Sequence, residues 1–422
     1  MQTDSVSDPS RFAYYELGDI RLTRGEGVRV WDAEGREYLD CVSGTFNLLL
    51  GHNHPAVTAA VREQLDGLIF AGSAFQTDAT NRVMELLVRL SPPNLTRVNL
   101  RSSGGSTANE GAVKIAQLIT GKRDVLVPFR AQVGQTLAMS GYNGLARMRA
   151  PFPHRFPGAL HVPDPYCYRC FYRQSPRDCG FLCVDRMDDF LTYAGSGSVA
   201  AMIIEPISGV GGNVVPPDGY LARLREFCDE RGILLIFDEM QTAFGRTGHL
   251  FAADCFGVAP HMMTVSKGLT GIGLPLAAIL TEERLTGMER SLHGFTHGGH
   301  NLSAAAAVAT LEIVRQPEFL ARVRATGAVL LERLRALQDG HPCIGDVRGA
   351  GLMLGVEFVD ADGGRSSPLA HACNRALSAR GIITRVSEHG QGNVIELRPP
   401  LILTEEDAHL VADRFADAVA AL

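Results

Sequence analysis

Lysine is almost missing from this chain of 422 residues: Lys114, Lys122 and Lys267 stand against 37 arginines. Any chemistry that needs an amine nucleophile therefore has three candidate positions. No apolar run reaches the ~18 residues that a membrane-crossing helix needs, so no such span is expected. No basic block occurs and the net charge is −6, which argues against a nucleic-acid partner. The opening stretch, MQTDSVSDPSRFAYYE, lacks the charged-then-apolar pattern of a secretory leader. Nine cysteines, an odd number in so long a chain, fit a reducing compartment better than a disulfide framework. A cytoplasmic protein is the expectation. With 45% hydrophobic and 20% charged residues, the chain can bury one large core and a smaller one.

What is present has a clear rhythm. Residues 26–40, EGVRVWDAEGREYLD, read as a strand, a turn and a second strand. Residues 54–67 and 78–90 have helical spacing. From about 97 to 281, apolar strands alternate with helices: RVNL (97–100), DVLVPF (124–129), VAAMIIE (199–205), ILLIF (233–237), MMTVS (262–266) and PLAAIL (275–280). Strands apolar throughout and separated by helices predict an α/β architecture, a central mostly parallel sheet with helices on both faces. After 300 the texture shifts to a long helical region (302–338), strands at 351–359 and 393–397, and helices at 368–380 and 404–421. This predicts a small α+β domain. The expected division is an N-terminal segment, 1–55, joining the small domain, a large domain over 56–305, and a C-terminal small domain over 306–422.

Three features carry chemistry. In RSSGGSTANEGAVKIAQ (101–117) a strand ends, two glycines turn the chain, and a helix begins near Ser106. Free N–H groups and the helix dipole suit a phosphate there; an ordinary helix start is the alternative. Lys122 sits in a turn and Lys114 on a helix, where solvent explains both. Lys267 follows the buried strand MMTVS and precedes a glycine-rich turn. Burial costs an unpaired lysine, so it either pairs with an acid such as Asp238 or Glu239, or serves as a Schiff-base nucleophile of lowered pKa. Asp238 itself leaves the end of the strand ILLIF, where a parallel sheet places ligands. A phosphate cradle, a lysine and a strand-end carboxylate together match what pyridoxal phosphate requires.

Longer motifs then become familiar. DEMQTAFGRTG (238–248), SKGLTGIGLPLAA (266–278), GGSTANEGAVK (104–114) and YLDCVSGTFNLLLGHNHPAV (38–57) resemble, in order, segments of the class III aminotransferases of the ornithine and γ-aminobutyrate type, pyridoxal-phosphate enzymes of fold type I. The resemblance runs from about 20 to 420. It implies that Lys267 carries the cofactor and moves the proton, that Asp238 pairs with the pyridinium, and that Gln241 contacts the phenolic oxygen. Gly105 and Ser106 would bind the phosphate. Thr296, in HGFTHGGHN (293–301), would reach the partner's phosphate in a homodimer with shared active sites. Arg398, in ELRPPLILTEED (396–407), would hold a substrate carboxylate, and Glu205 would support the site from behind.

The expected reaction moves an amino group from an amine or amino-acid donor to a keto acid or aldehyde by a ping-pong route. Departures from the pattern keep alternatives open. Gln132 and Val133 stand where an aromatic and a histidine usually precede the glycine, and Met240 replaces a valine on the opposite face of the ring. These motivate an epimerase or decarboxylase on the same fold; a catalytically silent cofactor-binding subunit is the other alternative. Val210 stands where relatives often carry a glutamate pairing with the arginine matched by Arg398, which would leave Arg398 free. Cys167, Cys170, Cys179 and Cys183 in PYCYRCFYRQSPRDCGFLC (165–183) have spacing that zinc could use, or are thiols packed in an insertion; no metal is assigned.

Overall fold

Val199–Ile204 is apolar and buried at every position, and so is Met262–Val265. Strands of this kind need cover on both faces, and they form the middle of a seven-stranded sheet. The computed structural model describes residues 13–15, 18–152, 158–387 and 391–422. Most of the polar opening stretch, residues 1–12, 16 and 17, lies outside them.

Among the described residues fifteen strands are numbered in chain order. β1 (Leu22–Glu26), β2 (Arg29–Asp32) and β3 (Glu37–Asp40) come first; β4 (Leu95–Ser102), β5 (Asp124–Pro128), β6 (Ala159–Val162), β7 (Val199–Ile204), β8 (Leu234–Asp238), β9 (Met262–Val265) and β10 (Ala277–Glu282) follow. The last are β11 (Ile344–Ala350), β12 (Met353–Phe358), β13 (Ile382–Ile383), β14 (Arg385–Val386) and β15 (Val394–Leu397). The large sheet runs β4-β10-β9-β8-β7-β5-β6, and β10 alone runs against the direction of the other strands. One buried cluster lies against the Gly105–Thr120 helix and includes Ala112, Ile115, Val125 and Ile203. The larger cluster includes Leu126, Ile204, Leu235 and Phe237, residues that alternate with those of the first, as opposite faces of one sheet require.

Two four-stranded sheets flank this core. The order β1-β2-β3-β13 joins the N-terminal strands to a late segment, because Ile382 and Ile383 pair in parallel with Leu39 and Asp40. The order β11-β12-β15-β14 is antiparallel throughout. Thr384 separates β13 from β14, so the chain changes sheet across one residue. Arg385 emerges at that crossing.

The helical region expected over 302–338 consists of two helices, Asn301–Val314 and Pro317–Gly340. Pro317 cannot continue the first, and it opens the second at a position where its missing N–H costs nothing. Five strands have no counterpart in the sequence reading, the first being β1, which lies ahead of the stretch read as strand-turn-strand. β6 is short, β13 and β14 have two residues each, and β11 (IGDVRGA) carries charges and glycines where apolar alternation is sought. No helix among the described residues is long and apolar enough to cross a membrane.

Candidate active site

The parallel strands end around one cavity of about 270 Å³. β4 delivers Gly105 and Ser106, β5 delivers Gln132 to Gly134, β8 delivers Asp238, Met240 and Gln241, and β9 delivers Lys267. Thr45, Phe46, Val210 and Arg385 complete its walls from other segments. A sheet whose strands share a direction puts these ends at one edge, which is where a ligand fits.

Asp238 is 3% exposed and held on both oxygens. The Asn109 amide donates to Oδ2 at 2.6 Å and the Met240 amide donates to Oδ1 at 3.0 Å. Asn109 is itself fixed: its nitrogen also donates to the Val133 carbonyl at 2.8 Å, and its oxygen accepts from the Thr264 hydroxyl at 2.6 Å. Burial pushes the Asp238 carboxyl above the usual range, and the two amides and Lys267 pull it back. Asn109 was missed in the sequence reading, although the quoted motif GGSTANEGAVK contains it. Glu205 accepts from the Gln132 amide at 3.0 Å and the Gly209 amide at 2.8 Å. Burial, with Asp238 beside it, pushes its carboxyl up to about 7.

Lys267 has φ +33°, an unusual backbone angle for a side-chain-bearing residue at the end of β9. Its ammonium engages no described residue in a hydrogen bond or ion pair. Burial draws its pKa below the ordinary lysine value, opposed by Asp238 and Glu205. A lysine that is desolvated and uncommitted can attack a carbonyl. Lys114 by contrast lies 3.9 Å from Glu110 on an exposed helix face, and Lys122 donates to the Gly232 carbonyl at 2.8 Å.

The Gly105–Thr120 helix starts without a side-chain cap at Gly104, so its first amides stay available to an anion. A Cβ at Gly105 would lie 3.1 Å from Met240 Sδ, and one at Gly134 would lie 2.9 Å from Ser106 Cβ. Both glycines permit the close approach that builds the cradle. Glu239, the second acid of the dyad, faces away from the cavity. It accepts from the Ala252 and Ala253 amides at 2.8 Å each and from the Thr242 hydroxyl at 3.0 Å, and so caps the Ala252–Phe256 helix.

Arg398 departs from expectation. It does not line the cavity and is fully buried, with its donors spent inside the protein. Nε donates to Asn213 Oδ1 at 2.9 Å, Nη2 donates to the Gly209 carbonyl at 2.9 Å, and Nη1 donates to Gln241 Oε1. Val210 therefore does not leave Arg398 free. A guanidinium removed from water needs partners, and the surrounding chain supplies them. The cavity's arginine is Arg385, whose guanidinium forms no hydrogen bond or ion pair with any described residue. Phe46, at φ +66°, places its ring within reach of both, 3.9 Å from the Arg398 guanidinium and 5.4 Å from that of Arg385. Thr296 is exposed in a loop outside the cavity.

The chain matches the model of the family "Aminotransferase class-III" over residues 14–419. The chain belongs to the class III aminotransferases. It is 34% identical over 406 residues to the acetylornithine aminotransferase of Methanothermobacter thermautotrophicus, covering 94% of this chain and 93% of that one. It is 33% identical over 411 residues to the leucine/methionine racemase of Thermococcus litoralis, covering 95% and 90%. Among solved structures, the omega transaminase of Pseudomonas jessenii in complex with PMP superposes with a TM-score of 0.91 at 28% identity, covering 98% of each chain. The fold is PLP fold type I, and this aminotransferase uses pyridoxal phosphate to move amino groups. Its cavity fits that cofactor: an anion cradle at one end, a buried acid at the other, and an unpaired lysine between the strand ends.

Around the cysteine insertion, Cys167, Cys170, Cys179 and Cys183 are free thiols lining a separate apolar pocket. Burial pushes Cys167 up to about 11 and Cys183 up to about 12, so both are neutral thiols as they stand. Among the described residues no group of three or more His, Cys, Asp or Glu side chains is set to hold a metal ion.

Proposed function

We propose that this aminotransferase binds pyridoxal phosphate through Lys267 and Asp238 and transfers an amino group to or from a partner that carries a carboxylate. The observation that carries this reading is an uncommitted Lys267 in the same cavity as a buried, doubly held Asp238. When bound, the cofactor supplies an aldehyde for an amine and a ring that takes up electrons. Lys267 Nζ would hold the aldehyde carbon, and the same amine is placed to carry the proton that amino transfer has to move. Asp238 holds a proton at the ring nitrogen. Gly105, Ser106 and the open amides of the first helical turn bind the phosphate. Gln132 and Met240 would cover the ring and Gln241 would serve its phenolic oxygen, since all three line the cavity. Glu205 orients the Gln132 backbone, which sets one of those faces.

The substrate carboxylate goes to Arg385, because its guanidinium lines the cavity without a hydrogen bond or ion pair to any described residue and that of Arg398 does not line it. Donors and acceptors of the amino-acid, ω-amine and keto-acid classes suit this arrangement, and the names of the acetylornithine and omega-transaminase relatives support it. Two copies would share their sites, with Thr296 reaching the partner's phosphate. The exposed apolar residues Leu68, Ile69, Phe70 and Phe75 support a covered face in that region. A cytoplasmic location and the division at 55 and 305 belong to the same proposal; the pairing of β3 with β13 supports the first boundary.

A half-reaction screen tests the reading. Purified protein loaded with cofactor is mixed with single amino donors, and the visible absorption is followed while the keto product is assayed. Bleaching of the band with stoichiometric keto product is expected from a carboxylate-bearing donor. Exchange of the α-proton or release of CO₂ without keto product would overturn it in favour of racemisation or decarboxylation.

A further inference from the structure

Arg398 is the largest puzzle the site leaves. A fully buried arginine that does not line the cavity still touches two residues that do: its guanidinium lies against the Phe46 ring, and it donates a hydrogen bond to Gln241. A glutamine amide can present either its oxygen or its nitrogen to a ligand, and its neighbours decide which. A guanidinium only donates, so the atom facing Arg398 has to be the oxygen. The amide nitrogen then has no partner among the described residues and turns toward the cavity.

We infer that Arg398 is a positioning residue: it fixes the Gln241 amide with its oxygen inward, so that the N–H₂ group donates to the cofactor's phenolic oxygen. The rest of the contact set holds Arg398 itself in place. Asn213 Oδ1 accepts from Nε and Nη2, the Gly209 carbonyl accepts from Nη2 at 2.9 Å, and Phe46 stacks on the guanidinium. Asn213 is in turn tied to the Leu354 carbonyl of β12 at 2.6 Å. Glu396 Oε1 lies 3.2 Å from Nη2 and balances the charge. Gly209 also pins the amide from the other side. A Cβ there would sit 2.6 Å from Gln241 Nε2 and 2.7 Å from Oε1, so only glycine lets the amide lie flat against the backbone. Without Arg398 the amide is free to reverse, and its oxygen would face another oxygen.

This inference rests on the proposed function and deepens it. Its test is the pH titration of the bound cofactor's visible band in the holoenzyme. A donor at the phenolic oxygen stabilises the form that has lost the shared proton, which lowers the midpoint. Arg398→Met and Gln241→Leu are each expected to raise the midpoint by about half a pH unit or more, the equivalent of one ordinary hydrogen bond. The double variant is expected to move no further than Gln241→Leu alone, because both changes remove the same donor. A folded Arg398→Met holoenzyme with an unchanged midpoint, or a double variant whose shifts add, overturns the inference. A purely structural arginine would lower the melting temperature and leave the midpoint alone. The wild-type holoenzyme crystal structure provides a reading that needs no variant. The Gln241 amide nitrogen is expected within hydrogen-bond distance of the phenolic oxygen; Arg398 turned into the cavity instead overturns the inference. Absence of any visible band in wild-type protein would defeat the proposed function itself, which separates the two failures.

Discussion

At the scale of single residues, the site is a set of charges made tolerable by particular partners. Asn109 shows how narrow the margin is. Its amide satisfies Asp238, and Asn109→Ala leaves a buried carboxylate oxygen short of one donor, a loss of about 1–3 kcal/mol. A lower thermal midpoint and weaker retention of cofactor on dialysis are expected, and unchanged values for both would contradict the assignment. Arg385→Leu is expected to raise KM for carboxylate-bearing acceptors about tenfold or more, the worth of a charge-assisted hydrogen bond, while simple amines keep their KM. Steady-state kinetics across the two substrate classes decides it. Lys267 and Asp238 were legible because scarcity and strand-end position single them out in the sequence. Arg385 was not. It lies in a two-residue strand with no periodicity, and its exposure to the cavity depends on the chain crossing between two sheets at Thr384. Arg398 was misleading for the opposite reason. A motif places it in sequence, but only three-dimensional neighbours reveal that its donors are already used.

At the scale of elements, strand ends aim the chemistry and small polar staples hold the strands in register. His261 precedes β9, and its Nδ1 accepts from the Leu235 amide of β8 at 2.8 Å, while Nε2 lies 3.0 Å from Asp229. Burial lowers its pKa to about 4, below the ordinary value of 6.5. The unfolded chain therefore binds the proton more tightly. Stability from neutral His261 is complete above about pH 6.5 and is lost as pH falls toward 4, on the order of 3 kcal/mol in all. Thermal midpoints across that window should fall more steeply for the wild type than for His261→Gln; parallel curves would contradict this. The central apolar strands were legible because full burial writes itself as a continuous apolar run. β11 was not legible, since its glycines and charges answer to neighbouring backbone: a Cβ at Gly349 would lie 2.5 Å from the Met353 carbonyl.

At the scale of the whole molecule, the cavity's walls come from all three sheets' neighbourhoods, so the site exists only when the chain is fully assembled. The exposed apolar segment with Phe70 and Phe75 extends that logic to a second copy. Phe75→Asp is expected to shift the protein toward monomer in sedimentation and to reduce activity in proportion; a monodisperse dimer with full activity would contradict the shared-site proposal. Every functional statement depends on the covalent attachment of cofactor at one lysine among three. Borohydride reduction of the holoenzyme, followed by proteolysis and mass spectrometry, measures it directly. The phosphopyridoxyl label should lie on Lys267 alone. A label on Lys114 or Lys122, or no label on any lysine, would contradict the account.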